Sequence, residues 1–309
     1  MTRVKLSGSV FVVTAAVLWA LDGVLRRILF VLPSLVIVFV EHVLGFILLA
    51  PFLFAKRQRL LEVIKKPEVM AWASGIGLLS GLLGTFWFTK ALGMVGFVPF
   101  SVVLLIQKLQ PIFAISAAAV LLKEKVSSTF LGWAGVALAA AFFVTFPNGQ
   151  VNVTTGMNTV WAAVLALGAA VAWGSSTAFS KKLLALVDDV TVTTGLRFGL
   201  TSIFGLVAVL LTGSMGALMA VTMPQILTLL AIAFSTGLVA LWVYYKGLSM
   251  VPVRVATILE LTFPMLAVGI DYFLYGQVLI WTQYLAIVVL VGAMYRVSLT
   301  TGKLEEEKV

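Results

Sequence analysis

The chain has 309 residues, of which 61% are apolar and only 11% charged, with a formal net charge of +9 and a mean hydropathy of +1.13. A soluble domain carries roughly a quarter charged residues, so this composition excludes a water-soluble globule and makes lipid the solvent that fits. The absence of Cys and the single His, His42, exclude disulfides, thiolate nucleophiles and multi-histidine metal centres, and no metal or other cofactor is expected.

A bilayer core about 30 Å thick is crossed by roughly 20 apolar residues in helical form, because unpaired backbone groups cannot sit in lipid. Such runs occupy 7–29, 34–55, 69–92, 99–121, 126–146, 158–182, 190–212, 224–246, 252–275 and 279–299. Arg3 and Lys5 precede the first run, but no small-residue cleavage site follows it, so it reads as a retained span. Pro33-Ser34, Pro99, Pro147-Asn148-Gly149, Gly213-Ser214 and Pro252 are turn or helix-start signals between runs. The stretch KRQRLLEVIKKPE (56–68) is the longest polar linker. The fold class is an all-α membrane protein with ten transmembrane helices.

Basic residues gather beside alternate ends of the runs, which marks topology and argues against nucleic acid as a partner. One set of connections holds Lys56, Arg57, Arg59, Lys65 and Lys66, then Lys123 and Lys125, Lys181 and Lys182, and Lys246 and Arg254. Arg3, Lys5, Lys303 and Lys308 put both termini on that side, whereas 93–98, 147–157, 213–223 and 276–278 contain no Lys or Arg. Arg26 and Arg27 near the far end of the first span are exceptions, and Lys90 lies close to that side. The asymmetry places both termini in the cytoplasm of a prokaryotic cell membrane.

The chain also repeats itself. VLWALDGVLRRIL (17–29) matches VAWGSSTAFSKKL (171–183), aligning Trp19 with Trp173 and Arg27 with Lys181. WFTKALGMV (87–95) matches VYYKGLSMV (243–251), aligning Lys90 with Lys246, and LQPIFAISAAAVLL (109–122) matches TFPMLAVGIDYFLY (262–275), aligning Pro111 with Pro264. Residues 1–150 form the first five-helix repeat, and 151–309 the second, with a short charged tail. An odd span count per repeat turns the second upside down, a recurrent plan of secondary transporters.

Two five-helix halves, the element Trp173-Gly174-Ser175, a proline in the fourth helix of each half and the acidic turn Lys123-Glu124-Lys125 resemble the EamA family of the drug/metabolite transporter superfamily. The first half departs from that pattern at Trp19-Ala20-Leu21-Asp22, and the second at Gly276-Gln277, where the acidic turn would be. The resemblance implies a central cavity lined by the first, third and fourth helices of each half, and a gradient-driven carrier or exchanger.

Charges inside spans are costly, about 2.5–3.5 kcal/mol each at the helix centre on insertion scales, and so are informative. They are Asp22, Glu41, His42, Lys90, Lys108, Arg197, Glu260 and Asp271. Each also has a plain reading as one partner of an interhelical ion pair. Lys90 and Asp271 lie near a boundary and can snorkel. Arg197 aligns roughly with His42. Gln107 and Glu260 align at the offset set by Pro111 and Pro264, each four residues before its proline, where a loosened turn at the midplane is expected. Trp19, Trp173, Trp242 and Tyr245 lie in the helices that the resemblance assigns to the cavity and suit an aromatic or cationic solute, while Phe86, Trp87 and Phe88 read as an interfacial belt. The substrate-site candidates are therefore Trp19, Gln107, Trp173, Trp242, Tyr245 and Glu260. Those for proton or ion coupling are Glu260, Glu41, Asp22 and His42, with Lys108 or Arg197 as a competing ion-pair partner for Glu260. Gly77 and Gly81 make a small-xxx-small face.

The expected function is secondary active transport of a small metabolite, an amino acid or related solute, most simply by export. The alternatives are an organic-cation importer and, more remotely, a membrane-embedded lipid enzyme, for which the connections offer no clustered acid, base or nucleophile. No ATP-binding loop is present, so energy comes from a gradient, with protons as the candidate ion. The chain is expected to act in the bilayer as a monomer or weak homodimer. Single cysteines at Ser128 and Asn152 of this Cys-free chain should label from opposite sides of the membrane. Labelling of both from one side overturns the topology.

Overall fold

The regular helices account for the crossing of lipid, and their irregular turns account for the site. The computed structural model describes residues 2–26, 29, 31–94, 102–151, 157–276 and 278–306, and among these there is no strand. Ten helices are long and apolar enough to span a bilayer: α1 (Ser7–Arg26), α2 (Ser34–Ala55), α3 (Pro67–Met94), α4 (Val103–Leu121), α5 (Ser128–Thr145), α6 (Asn158–Val187), α7 (Val190–Leu211), α8 (Met223–Met250), α9 (Val253–Ile270) and α10 (Trp281–Leu299). Arg27, Pro99, Asn152, Gln277 and the side chain of Asp271 lie outside the described residues.

The spans match the hydropathy reading closely, with α6 and α8 running on past Lys181, Lys182 and Lys246. These lysines extend the helices because a long stem can stay in apolar surroundings while its ammonium reaches polar groups. The linker at 56–68 is not irregular either. Arg57–Ile64 coils into a short helix and buries Val63 against the bundle.

Helices α5 and α10 pack on each other, as do α2 and α7. Helix α1 packs on α8 and α9, and α6 packs on α3 and α4. Exchange of the two five-helix halves carries this pairing onto itself.

Four helices depart from regular geometry, and they fall in matching pairs. Helices α3 and α8 contain π-helical stretches at Gly77–Gly84 and Ala233–Val239. Helix α4 is broken between Val102–Gln107 and Gln110–Leu121, and α9 between Val253–Leu259 and Thr262–Tyr275. Pro111 and Pro264 stand in the first turn of each second segment, where a missing N–H costs nothing. The broken turns are closed by tight bonds, Leu109 N–H to the Ile106 carbonyl at 2.9 Å and Leu261 N–H to the Ile258 carbonyl at 3.1 Å.

The glycine face read on the third span packs against α7. A Cβ at Gly81 would stand 1.9 Å from Thr201 Oγ1, the same hydroxyl that donates to the Gly77 carbonyl at 3.1 Å. Gly81→Ala is therefore overpacked and should cost about 1–3 kcal/mol. Gly132→Ala meets nothing within 4 Å and serves as the control. Melting in detergent should show a lower midpoint for the first variant and none for the second. An unchanged midpoint for Gly81→Ala would show that α3 and α7 are not in close contact.

Candidate functional site

A cavity of about 400 Å³ lies at the meeting of the halves, lined from α1–α4 and α6–α9. Its size falls in the range of roughly 300–1,000 Å³ typical of small-molecule sites. The second helices contribute as well as the first, third and fourth, because α2 and α7 cross at the centre and bring Glu41, His42, Arg197 and Phe198 to the wall.

One part of the wall is charged. Asp22 and Arg26 sit a turn apart on α1, and the guanidinium donates from Nε to Asp22 at 2.7 Å and from Nη2 to Glu41 at 3.0 Å. Two carboxylates thus share one cation. Thr236, in the π-helical stretch of α8, donates to Asp22 at 2.6 Å and ties this group to the other half. Arg26 Nη1 is buried without a partner. Next to it, His42 Nδ1 lies 2.8 Å from the Val38 carbonyl. A carbonyl can only accept, so the proton is on Nδ1 and Nε2 is left as an acceptor.

The other part is aromatic. Trp19 of α1 lies against Tyr244 of α8, and Trp173 of α6 lies against Phe88 of α3, each pair with centroids 5.1 Å apart. All four rings line the cavity. The Ser80 carbonyl, in the π-helical turn of α3, accepts from Trp173 Nε1 and from the Thr85 hydroxyl, each at 3.1 Å, and the first bond fixes that indole. Phe88 is therefore part of the cavity wall rather than of an interfacial belt.

The polar midplane residues behave differently in the two halves. Glu260 stands at the break of α9 and accepts from the Tyr244 hydroxyl at 2.6 Å and from Gln110 Nε2 at 3.2 Å. Among the described residues it forms no ion pair with Lys108 or Arg197. Lys108 stands at the corresponding break of α4 and also lines the cavity. Gln107, the residue aligned with Glu260 by the prolines, instead donates to the Ala166 carbonyl at 2.8 Å and leaves its Oε1 buried without a partner.

Of the residues anticipated from the sequence, Trp19, Asp22, Glu41, His42, Gln107, Trp173 and Glu260 lie on the cavity wall. Trp242 and Tyr245 do not. Successive helical residues point about 100° apart, so when Tyr244 faces the cavity its neighbours turn away. Trp242 donates to Thr191 at 3.2 Å toward α7. Tyr245 is fully buried, 3.0 Å from the Ser180 hydroxyl, and its own hydroxyl accepts from Arg197 at 3.2 Å. Tyr244, Gln110 and Arg26 are among the wall residues that the sequence reading did not name as site candidates. The repeat register that pairs Lys246 with Lys90 also pairs Tyr244 with Phe88, and it was the signal available for that pair.

The EamA-like transporter family model matches residues 6–146 and again 160–299. The chain belongs to the EamA-like transporter family. It is 34% identical over 295 residues to a protein of Fusobacterium nucleatum subsp. nucleatum (strain ATCC 23726 / VPI 4351) named "Riboflavin transporter ImpX", covering 95% of this chain and 98% of that one. A solved crystal structure of a protein with 17% identity superposes with a TM-score of 0.71, over 96% of this chain and 99% of its own. That likeness shows a shared fold.

In this EamA-like transporter the two faces of the membrane domain are not equivalent. Among the described residues three ion pairs join the halves, Lys56–Asp189, Lys182–Glu68 and Arg254–Glu124, all on the face that carries the chain termini. Asp189 also caps α7 through the Val192 N–H at 3.0 Å. Although partial burial pushes the Asp189 carboxyl up, the Lys56 and Val192 hydrogen bonds outweigh it and hold the group below its ordinary range.

Glu124, from the acidic turn after α4, accepts from the free N–H groups of Val253 at 2.8 Å and Arg254 at 3.2 Å, and thereby caps the start of α9. Lys181 of α6 donates to the carbonyls of Leu248, Ser249 and Val251 at the end of α8, at 2.6, 3.0 and 3.1 Å. Toward the opposite face the cavity reaches Leu92 and Leu104, near the ends of α3 and α4. Among the described residues, the ion pairs that join the halves are thus gathered on the terminus-bearing face.

Removal of the Glu124 carboxylate leaves two helix-start N–H groups and the buried Arg254 guanidinium without their acceptor, at a cost of about 3–5 kcal/mol to the contact between the halves. Glu124→Ala should raise the labelling rate of a cysteine at Thr257, probed from the terminus-bearing side, several-fold over the parent. The exposed Lys182–Glu68 pair, 3.8 Å long, should contribute little when removed by Lys182→Ala. Equal labelling in the Glu124→Ala variant and its parent would show that this contact does not hold the face shut.

Proposed function

We propose that the chain is a carrier for riboflavin, or for a flat polycyclic aromatic solute of that kind, working by alternating exposure of the central cavity to the two faces. The observation that carries this reading is the two ring pairs Trp19–Tyr244 and Phe88–Trp173, each made of one ring from each half, on the same cavity. Flat aromatic solutes are held by offset or edge contacts with such rings, each worth about 0.5–1.5 kcal/mol beyond area burial. The charged group of Asp22, Arg26 and Glu41 supplies donors and acceptors for a hydroxylated chain attached to the ring. The name of the relative from Fusobacterium nucleatum points to the same solute. An amino acid, the substrate expected from the sequence, would leave this aromatic wall unused.

The chain has no nucleotide-binding loop, so the carrier runs on a gradient and moves its solute down whichever combined gradient prevails, inward or outward. Both termini are placed in the cytoplasm of a bacterial inner membrane by the Lys/Arg asymmetry. In this reading the face with the inter-half ion pairs is the cytoplasmic one. A second reading, carriage of an organic cation, draws on Glu260, whose carboxylate faces the cavity with neutral donors around it.

Proteoliposomes loaded with riboflavin should take up labelled riboflavin by counterflow, and unlabelled amino acids and quaternary amines should not compete. Trp19→Ala and Trp173→Ala should each weaken apparent affinity about five-fold or more, the equivalent of about 1 kcal/mol. Repetition under an imposed pH gradient identifies protons as the driving ion if accumulation follows the gradient. Exchange of amino acids or quaternary amines without riboflavin uptake would overturn the proposal.

A further inference from the structure

Glu260 and Gln110 come from opposite halves, α9 and α4, and meet on the cavity wall. Gln110 Nε2 donates one N–H to Oε2, and the Tyr244 hydroxyl donates to Oε1. Each carboxylate oxygen retains a lone pair, and the Gln110 amide retains its second N–H. The wall therefore offers a strong acceptor directly beside a donor. Trp19 lies against Tyr244 and gives this corner an aromatic side. A ligand that uses all three features is a flat ring whose edge carries an N–H next to a carbonyl.

Resting on the reading of the chain as a carrier of riboflavin-like solutes, we infer that Glu260 and Gln110 form the subsite that reads the cyclic imide edge of the ring. The ring N–H between its two carbonyls donates to the Glu260 carboxylate. One flanking carbonyl accepts from the second N–H of Gln110. Trp19 and Tyr244 bound the space beside the ring. The chemistry makes the subsite selective in a definite way. A ring nitrogen that carries a methyl group has no proton to donate and places carbon against a carboxylate, so the acceptor is left buried and unsatisfied. An edge with carbonyls alone sets oxygen against oxygen. Because the two side chains come from different halves, imide binding bridges α4 and α9 beside their broken turns, Lys108-Leu109 and Glu260-Leu261.

The test is equilibrium binding to the purified full chain, read by quenching of flavin fluorescence, with riboflavin and N3-methylriboflavin as probes. The parent should bind riboflavin at least about ten-fold more tightly than the N3-methyl compound, since a site built to bond an N–H penalises its absence. Glu260→Ala should weaken riboflavin binding about ten-fold and leave the N3-methyl compound within about three-fold, so that discrimination disappears. Gln110→Ala is the second variant, removes the donor alone, and should lower discrimination part of the way. The ratio of the two affinities is read only on protein that still binds flavin, which separates recognition from folding. Equal binding of both probes by the parent, or equal weakening of both by Glu260→Ala, overturns the imide subsite while the functional reading stands. No flavin binding by the parent overturns both.

Discussion

A backbone N–H or C=O inside lipid has no water to turn to, and every departure from a regular helix must therefore find a partner within the protein. The four irregular helices of this chain all make their departures at the central cavity. In the π-helical turn of α3 the Ser80 carbonyl accepts from Trp173 as well as from Thr85, so a backbone acceptor also fixes an aromatic wall residue. The breaks in α4 and α9 are closed by short-range bonds at Leu109 and Leu261, which leave Lys108 and Glu260 at loosened turns. The regular helices α5 and α10 pair outside the cavity. Irregularity and site coincide because lipid tolerates the first only where the second provides polar neighbours.

The same solvent sorts the buried charges. Arg26 is held by two carboxylates, and loss of one partner of such a buried pair costs about 3–5 kcal/mol. That group is fixed wall. Glu260 is held by two neutral donors from different helices, and exchange of one such hydrogen bond for a bond to a solute involves only about 1 kcal/mol. Of the two, Glu260 is the carboxylate whose hydrogen bonds cost less to exchange. Lys108, at the equivalent break, supplies the opposite charge in the other half, so the two breaks are alike in backbone and unlike in electrostatics.

Asymmetry also separates the faces. The ion pairs that join the halves are all on the terminus-bearing face, and the one least exposed, Arg254–Glu124, doubles as a cap for α9. Where the second half should repeat the acidic turn, the sequence reads Gly276-Gln277 and carries no carboxylate. The two halves therefore share a packing plan without both carrying these contacts.

Hydropathy alone determined the ten spans, the prolines located the midplane turns, and the aligned Trp19 and Trp173 pointed to the cavity, because apolar run length, missing N–H groups and internal repetition are local properties of a sequence. The family, and with it the transport of a metabolite, followed from the same signals. Other features depended on neighbours far along the chain. Tyr244 rather than Tyr245 faces the cavity because α1 presents Trp19 on one side of α8 and α6 presents Ser180 on another. Phe88 left the interfacial belt for the wall because Trp173 packs against it. Gln110 rather than Gln107 reaches Glu260 because the break in α4 turns the following segment relative to the preceding one. Sequence determines how long a helix is and where it bends; which way each side chain points at the bend is decided by the helices packed around it, and only the tertiary structure holds that information.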